Sequence, residues 1–221
     1  MAKRLGKQTY ALEKPIHIIS TATIVGEKEK NGPLKAYFEN FTEDDMMGEK
    51  TFEKAERKMM ESCIDLVLQN AHITQQDIDL LIGGDLLNQL VTMNYSARSL
   101  NVPFLGVYGA CSTMSESLAI AACLLDAGVG EIITCATGSH FSTAERQFRT
   151  PLELGNQRQT YSQWTVTGMG SCILSCKGKG PCVRMVTFGK VTDYGIKDIA
   201  NMGAAMAPAA MDTLYTFFQD T

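Results

Sequence analysis

Apolar and polar positions fall into blocks along this chain, and their period changes from block to block. Residues 15–26, PIHIISTATIVG, form a β-branched apolar run between Pro15 and Gly26 and predict a buried strand. Residues 27–50 are rich in Glu, Lys, Asp and Gly and predict a surface excursion. Beyond it, Phe52, Ala55, Met59, Cys63, Val67 and Ala71 recur at spacings of three and four, so a long helix shows one apolar stripe to a sheet. Thr74 and Asp77 have capping-box spacing for a short turn of helix. DLLIG then predicts a short strand, TMNYSARSL a weaker helix, and PFLGVYG a strand entered through Asn101 and Pro103. A helix over 112–127, rich in Ala and Leu, stops at Gly128, which suits the left-handed residue after a helix end. EIITCATG and SCILSC predict two further strands, and PCVRMVTFGKV another after the tight KGKGP turn. In the closing MAPAAMDTLYTFFQD, Pro208 suits a first-turn position, and Met211, Leu214, Tyr215 and Phe218 form an apolar face.

In order this reads β α β α β α β, a long loop, β, and then a new β α. Alternation of this kind predicts an α/β fold with a parallel-rich sheet covered by helices. One layer unit is complete by residue 177, and residues 178–221 begin a second.

Composition narrows the function. The 221 residues carry a formal net charge of −4 with no Lys/Arg stripe, so the electrostatic footprint of a nucleic-acid binder is missing. No window approaches the roughly 20 apolar residues of a membrane span, and the chain reads as soluble and unprocessed. Seven cysteines, an odd number without secretory context, predict reduced thiols. Cys172 and Cys176 share one strand face, and Cys182 adds no standard fourth-ligand spacing, so no metal is expected. LLIGGD lacks the following Lys-Ser/Thr of a phosphate loop, and no cofactor is expected either.

The candidate chemistry centres on Cys111, placed where the strand PFLGVYG runs into a helix. Ligands of open α/β sheets bind beyond the carboxyl ends of strands. Unpaired N–H groups at the helix start favour a thiolate, Gly109 permits a sharp turn, and Ser112 and Thr113 can cap. The competing reading is core filling, as expected for Cys63, Cys123 and Cys135. Spacing alone leaves the two readings balanced.

The order of elements together with YGACST resembles the thiolase superfamily, in which a cysteine at the N-terminus of a buried helix accepts the acyl group. KAERKMMESC, DIDLLIGGDLLNQLVTMNYSARSL, TGSHFSTAERQFRTPLE, GKVTDYGIKD and MGAAMAPAAMDTL extend the match over nearly the whole chain. They resemble the stage V sporulation protein AD family, a thiolase-like branch implicated in carrying dipicolinic acid into the developing spore. The resemblance implies two similar halves stacked as an αβαβα sandwich around a ligand pocket. Against that pattern, residues 1–177 form one complete half, and residues 178–221 hold the first strand and helix of the other, as in a truncated product or fragment.

The site residues carried over are Cys111, with Ser112, and Ser139 and His140 after the strand EIITCATG. Arg146 and Arg149, three apart, form a candidate carboxylate anchor, with a solvated face or a pair with Glu145 or Glu153 as the alternative. Condensing enzymes also need histidines from the second half, whereas His17, His72 and His140 all fall in the first. Three readings follow from the resemblance. The first is a non-catalytic protein binding dipicolinic acid or calcium dipicolinate, working with membrane channel proteins of the stage V system at the spore inner membrane. The second is an acyltransferase with Cys111 as nucleophile, and the third a scaffold with a vestigial pocket. A homodimer is implied as well.

Overall fold

The computed structural model describes residues 2–148, 164–198 and 201–221. Its strands and helices are, in chain order, β1 (Lys3–Arg4), β2 (Thr9–Val25), α1 (Glu27–Lys30), β3 (Asn40–Phe41), α2 (Phe52–Ala71), β4 (Leu80–Gly84), α3 (Val91–Leu100), β5 (Phe104–Gly106), α4 (Thr113–Asp126), β6 (Ile132–Ser139), α5 (Phe141–Phe148), β7 (Gly168–Ser175), β8 (Cys182–Thr187) and α6 (Met202–Asp220). The strands form one sheet in the order β1-β2-β7-β6-β4-β5, with β3 and β8 also paired to β2.

Alternation along the central strands sends neighbouring side chains to opposite faces. Leu81 and Ile173 meet Met59, Met60, Cys63, Ile64 and Val67 of α2 and Met93 and Ala97 of α3. Their neighbours Ile82 and Leu174 meet Ala121, Ala122 and Leu125 of α4 on the other face, with Ile133 and Cys135. The stripe predicted for α2 is thus its buried face. Cys172 and Cys176 lie in the α4-side cluster, the shared face that their even spacing requires.

Aspartates fasten the helices and turns to the sheet. The Asp126 carboxylate at the end of α4 accepts the backbone N–H of Glu13 and Lys14, both at 2.8 Å. Asp79 accepts those of Glu131 and Ile132 at 2.6 and 2.9 Å. Gly128 takes the predicted left-handed conformation after α4, with φ of 83°.

Several departures from the sequence reading bear on the fold. The sheet is mixed, since β4 is parallel to β5 and β6 while β7 is antiparallel to both β6 and β2. β2 is longer than PIHIISTATIVG because its two ends have different partners, β8 at Thr9–His17 and β7 at His17–Val25. The polar excursion holds α1 and a parallel β3 pairing, Ile24 with Asn40 and Val25 with Phe41. Finally, α6 starts at Met202, so Pro208 lies inside the helix. Met211, Leu214, Tyr215 and Phe218 are exposed on α6.

Candidate functional site

Parallel pairing puts the carboxyl ends of β4, β5 and β6 at one edge of the sheet. Gly83 pairs with Gly106 on one side and Ala136 on the other, and Gly84 with Thr137. The two glycines are required there by crowding. A Cβ at Gly83 would run into the Ala136 carbonyl oxygen, and one at Gly84 into that of Val107. Each strand then delivers a polar group to the edge: Asp85 just after β4, Cys111 in the turn after β5, and Ser139 at the end of β6.

The three line one cavity of about 470 Å³, with Leu86, Thr137, Trp164, Thr165, Val166, Met202 and Met206 among its walls. Cys111 is exposed and sits in a single 3₁₀ turn, Ala110–Ser112, that leads directly into α4. The sharp turn expected of Gly109 is made by Ala110, whose φ is 48°, while Gly109 has φ of −111°. Gly109 is needed for room, since a Cβ there would lie 2.5 Å from both Glu116 Oε2 and Ser112 Oγ. An L-residue held in the left-handed region just before the cysteine is a local strain kept by its surroundings.

Thr113 holds that turn, its hydroxyl donating to Ala110 O at 2.8 Å and accepting from Gly109 N at 3.2 Å. Ser112 does not cap α4 as expected. Its hydroxyl turns back to Gly109 O at 2.8 Å, and it is not among the cavity-lining residues.

His140 lies elsewhere. It is fully buried, its Nδ1 accepts the Ser142 N–H at 3.2 Å, and Nε2 is 2.8 Å from Asp45 O. An accepting Nδ1 leaves the proton on Nε2, which donates to Asp45, so both ring nitrogens are used in holding backbone. The ring also lies 5.3 Å from that of Phe52. Arg146 pairs with Glu53 at 3.1 Å and lies over Phe52, away from the cavity lining. Arg149 falls outside the described residues. The structure thus brings Cys111 and Ser139 together and leaves Ser112, His140 and Arg146 out of the cavity.

Asp85 and Trp164 are site residues that the sequence reading missed. The Asp85 carboxylate is buried and accepts the N–H groups of Leu87 and Met93, both at 2.8 Å. Burial raises its pKa above the ordinary carboxylate range, against the pull of the Met93, Leu87 and Thr92 backbone bonds. Its place after a strand at the carboxyl edge was legible, by the same rule that selected Cys111. Trp164 stacks on Phe141 with centroids 4.9 Å apart, and the Lys28 ammonium lies 3.3 Å from the centre of its ring.

Behind the site is a second buried acid. Burial pushes Glu56 of α2 up to about 8, with the Thr143 hydroxyl bond at 2.6 Å acting in the opposite direction and the charge of Asp85 adding to the rise.

The model of the stage V sporulation protein AD family matches residues 6–221. The chain belongs to the stage V sporulation protein AD family. It is 46% identical over 218 residues to stage V sporulation protein AD of Bacillus subtilis (strain 168), covering 99% of this chain and 64% of that protein. It therefore spans less than two thirds of the length of that relative. Among solved structures, a variant of OleA from Xanthomonas campestris aligns over 93% of this chain and 72% of its own, with a TM-score of 0.55 and 18% identity. A priming β-ketosynthase from a polyketide biosynthetic pathway aligns over 75% of this chain and 51% of its own, with a TM-score of 0.51 and 13% identity. These likenesses establish a thiolase-like fold for this member of the sporulation family.

Proposed function

We propose that this chain is a non-catalytic binder of dipicolinic acid, free or as its calcium chelate, and that the Cys111 cavity is the site. The observation that carries the reading is the convergence of Asp85, Cys111 and Ser139 on one cavity of about 470 Å³ in a sporulation-family chain. That volume lies within the roughly 300–1,000 Å³ of small-molecule sites. The apolar walls from Leu86, Val166, Met202 and Met206 suit a flat ring, and the turn at the start of α4 suits one carboxylate.

Absence of turnover is supported by the histidines. His140 is committed through both ring nitrogens, His72 ends α2 in the left-handed region, and His17 lies on β2 beside Gly180 O. Among the described residues, none of them lines the cavity. A condensing reaction needs a base within hydrogen-bond reach of the thiol or the thioester. The wider expectation is a homodimer that serves membrane channel proteins of the stage V system at the spore inner membrane. Among the described residues, no helix is long and apolar enough to cross a membrane.

Calorimetric titration with dipicolinate, beside isophthalate, which lacks the ring nitrogen, tests the proposal. Saturable binding of dipicolinate with weaker binding of isophthalate is expected. Steady release of coenzyme A from acyl thioesters would instead favour acyl transfer through Cys111, and no binding of either diacid would favour a scaffold.

A further inference from the structure

A dianionic ligand needs positive charge, and the lining of the Cys111 cavity provides none, because no lysine or arginine is among its described residues. Arg146, the anchor expected from sequence, is occupied by Glu53. Among the described residues, the cation that reaches the wall is Lys28. Its ammonium sits 3.3 Å from the ring centre of Trp164, the single tryptophan of the chain and part of that wall. Phe141 steadies the same ring from 4.9 Å. Lys28 also borders an adjoining cavity of about 580 Å³, which shares Thr137, Gly138, Ser139 and Val166 with the first.

We infer that Lys28 and Trp164 form a second anchor for an aromatic dicarboxylate held at Cys111, an inference that rests on the function proposed above. Trp164 supplies apolar wall for the ring, and Lys28, held on Trp164 by a cation–π contact, faces the distal carboxylate. The acids around Lys28 are Glu27 and Glu29 on the same short helix and Asp45, which line a smaller cavity of about 210 Å³ together with Lys28 and Trp164; Glu29 also borders the adjoining cavity. Burial raises the pKa of Glu29 and the charge of Lys28 partly opposes that rise. Lys30, two residues away, lies 5.9 Å from the Phe41 ring instead and borders neither cavity.

The test is calorimetric titration of dipicolinate into the 221-residue chain and its Lys28→Met, Lys30→Met and Trp164→Leu variants at two salt concentrations. Lys28 is an exposed side chain, and thermal melting confirms that each variant is folded. The expected result is a loss of about tenfold in affinity for Lys28→Met, with a shallower salt dependence, and no change for Lys30→Met. Trp164→Leu should weaken binding while keeping the salt dependence. Trp164 emission, excited beyond the absorption of the pyridine ring, should shift on saturation in the wild type and shift less in Lys28→Met. Wild-type affinity in Lys28→Met, or equal losses at Lys28 and Lys30, would overturn the anchor and leave the proposed function standing. No binding by the wild-type chain would overturn the proposed function, and the anchor with it.

Discussion

The buried Asp85 carboxylate reaches across the chain to the Met93 backbone N–H at 2.8 Å, capping α3 from outside the helix. The chain entering α3 has Gln89 and Leu90 at φ of 62° and 53°, and no side chain caps at Leu90 itself. One carboxylate thus satisfies a helix N-terminus with one oxygen and the Leu87 turn with the other, while lining the Cys111 cavity.

Replacing it tests that double duty. Asp85→Ala should cost about 1–2 kcal/mol of stability through the lost cap, and should weaken dipicolinate binding as the cavity floor loosens. Chemical denaturation and calorimetry on the same preparations check both effects. Unchanged stability would mean that α3 does not depend on this cap.

His140→Ala should act on stability rather than on ligand. It strands the Asp45 carbonyl and the Ser142 N–H that the ring now joins, at a cost of about 1–3 kcal/mol. The melting temperature should fall while dipicolinate affinity, measured well below it, stays near wild type. A large loss of affinity in a fully folded variant would return His140 to the site.

Glu56 makes stability depend on pH with a definite sign. Folding raises its carboxyl from 4.5 to about 8, so the folded state holds the proton more tightly than the unfolded chain. Its stabilising contribution is full below about 4.5 and is lost as pH rises toward about 8. Glu56→Gln should flatten the wild-type stability profile across this window, as read by denaturation at several pH values. Parallel profiles for the two proteins would contradict the assignment.

Gly84→Ala should destabilise by about 1–3 kcal/mol, because the added methyl meets the Val107 carbonyl oxygen at the edge where β4 and β5 close. Denaturation gives the cost directly. A neutral effect would show that the edge is looser than its geometry.

Asp220 provides a contrasting case at the far end of α6. Its carboxylate accepts the N–H groups of Lys7, Gln8 and Thr9, each at 3.0 Å. Those bonds hold its pKa below the usual carboxylate range. Their contribution is present above the unfolded pKa and lost as pH falls through the lower folded value. Asp220→Asn should speed amide exchange in the last turns of α6 at neutral pH and narrow the difference from wild type in acid. Equal exchange at neutral pH would show that α6 is held by other contacts.

Much of this architecture is carried by local pattern. The stripe from Ala55 to Val67, the short apolar strand through Leu81 and Ile82, and Gly128 after α4 each record a local pattern or a backbone requirement, and each lies where the pattern placed it. What escaped the sequence depends on groups distant along the chain. The pairing of Val25 with Phe41 has only two residues to declare it. Ala110 takes the strain that Gly109 was expected to absorb, because Gly109 is reserved for clearance from Glu116 and Ser112. At the site, the carboxyl-edge rule found Cys111 and the family resemblance added Ser139, but neither showed that His140, the next residue, turns inward to bind backbone. Lys28 read as part of a solvated loop, and only the fold sets it on Trp164.

Alkylation of Cys111 with and without ligand tests the central claim most directly. Cys182 of β8 is also exposed and lies outside the cavity, so it serves as an internal control. Brief treatment with iodoacetamide followed by peptide mapping should label both residues in the free protein and leave buried Cys63 and Cys135 unreacted. With dipicolinate present, labelling of Cys111 should fall saturably along the calorimetric binding curve while labelling of Cys182 stays constant. Calorimetric saturation with no protection of Cys111 would place the ligand elsewhere and contradict the account.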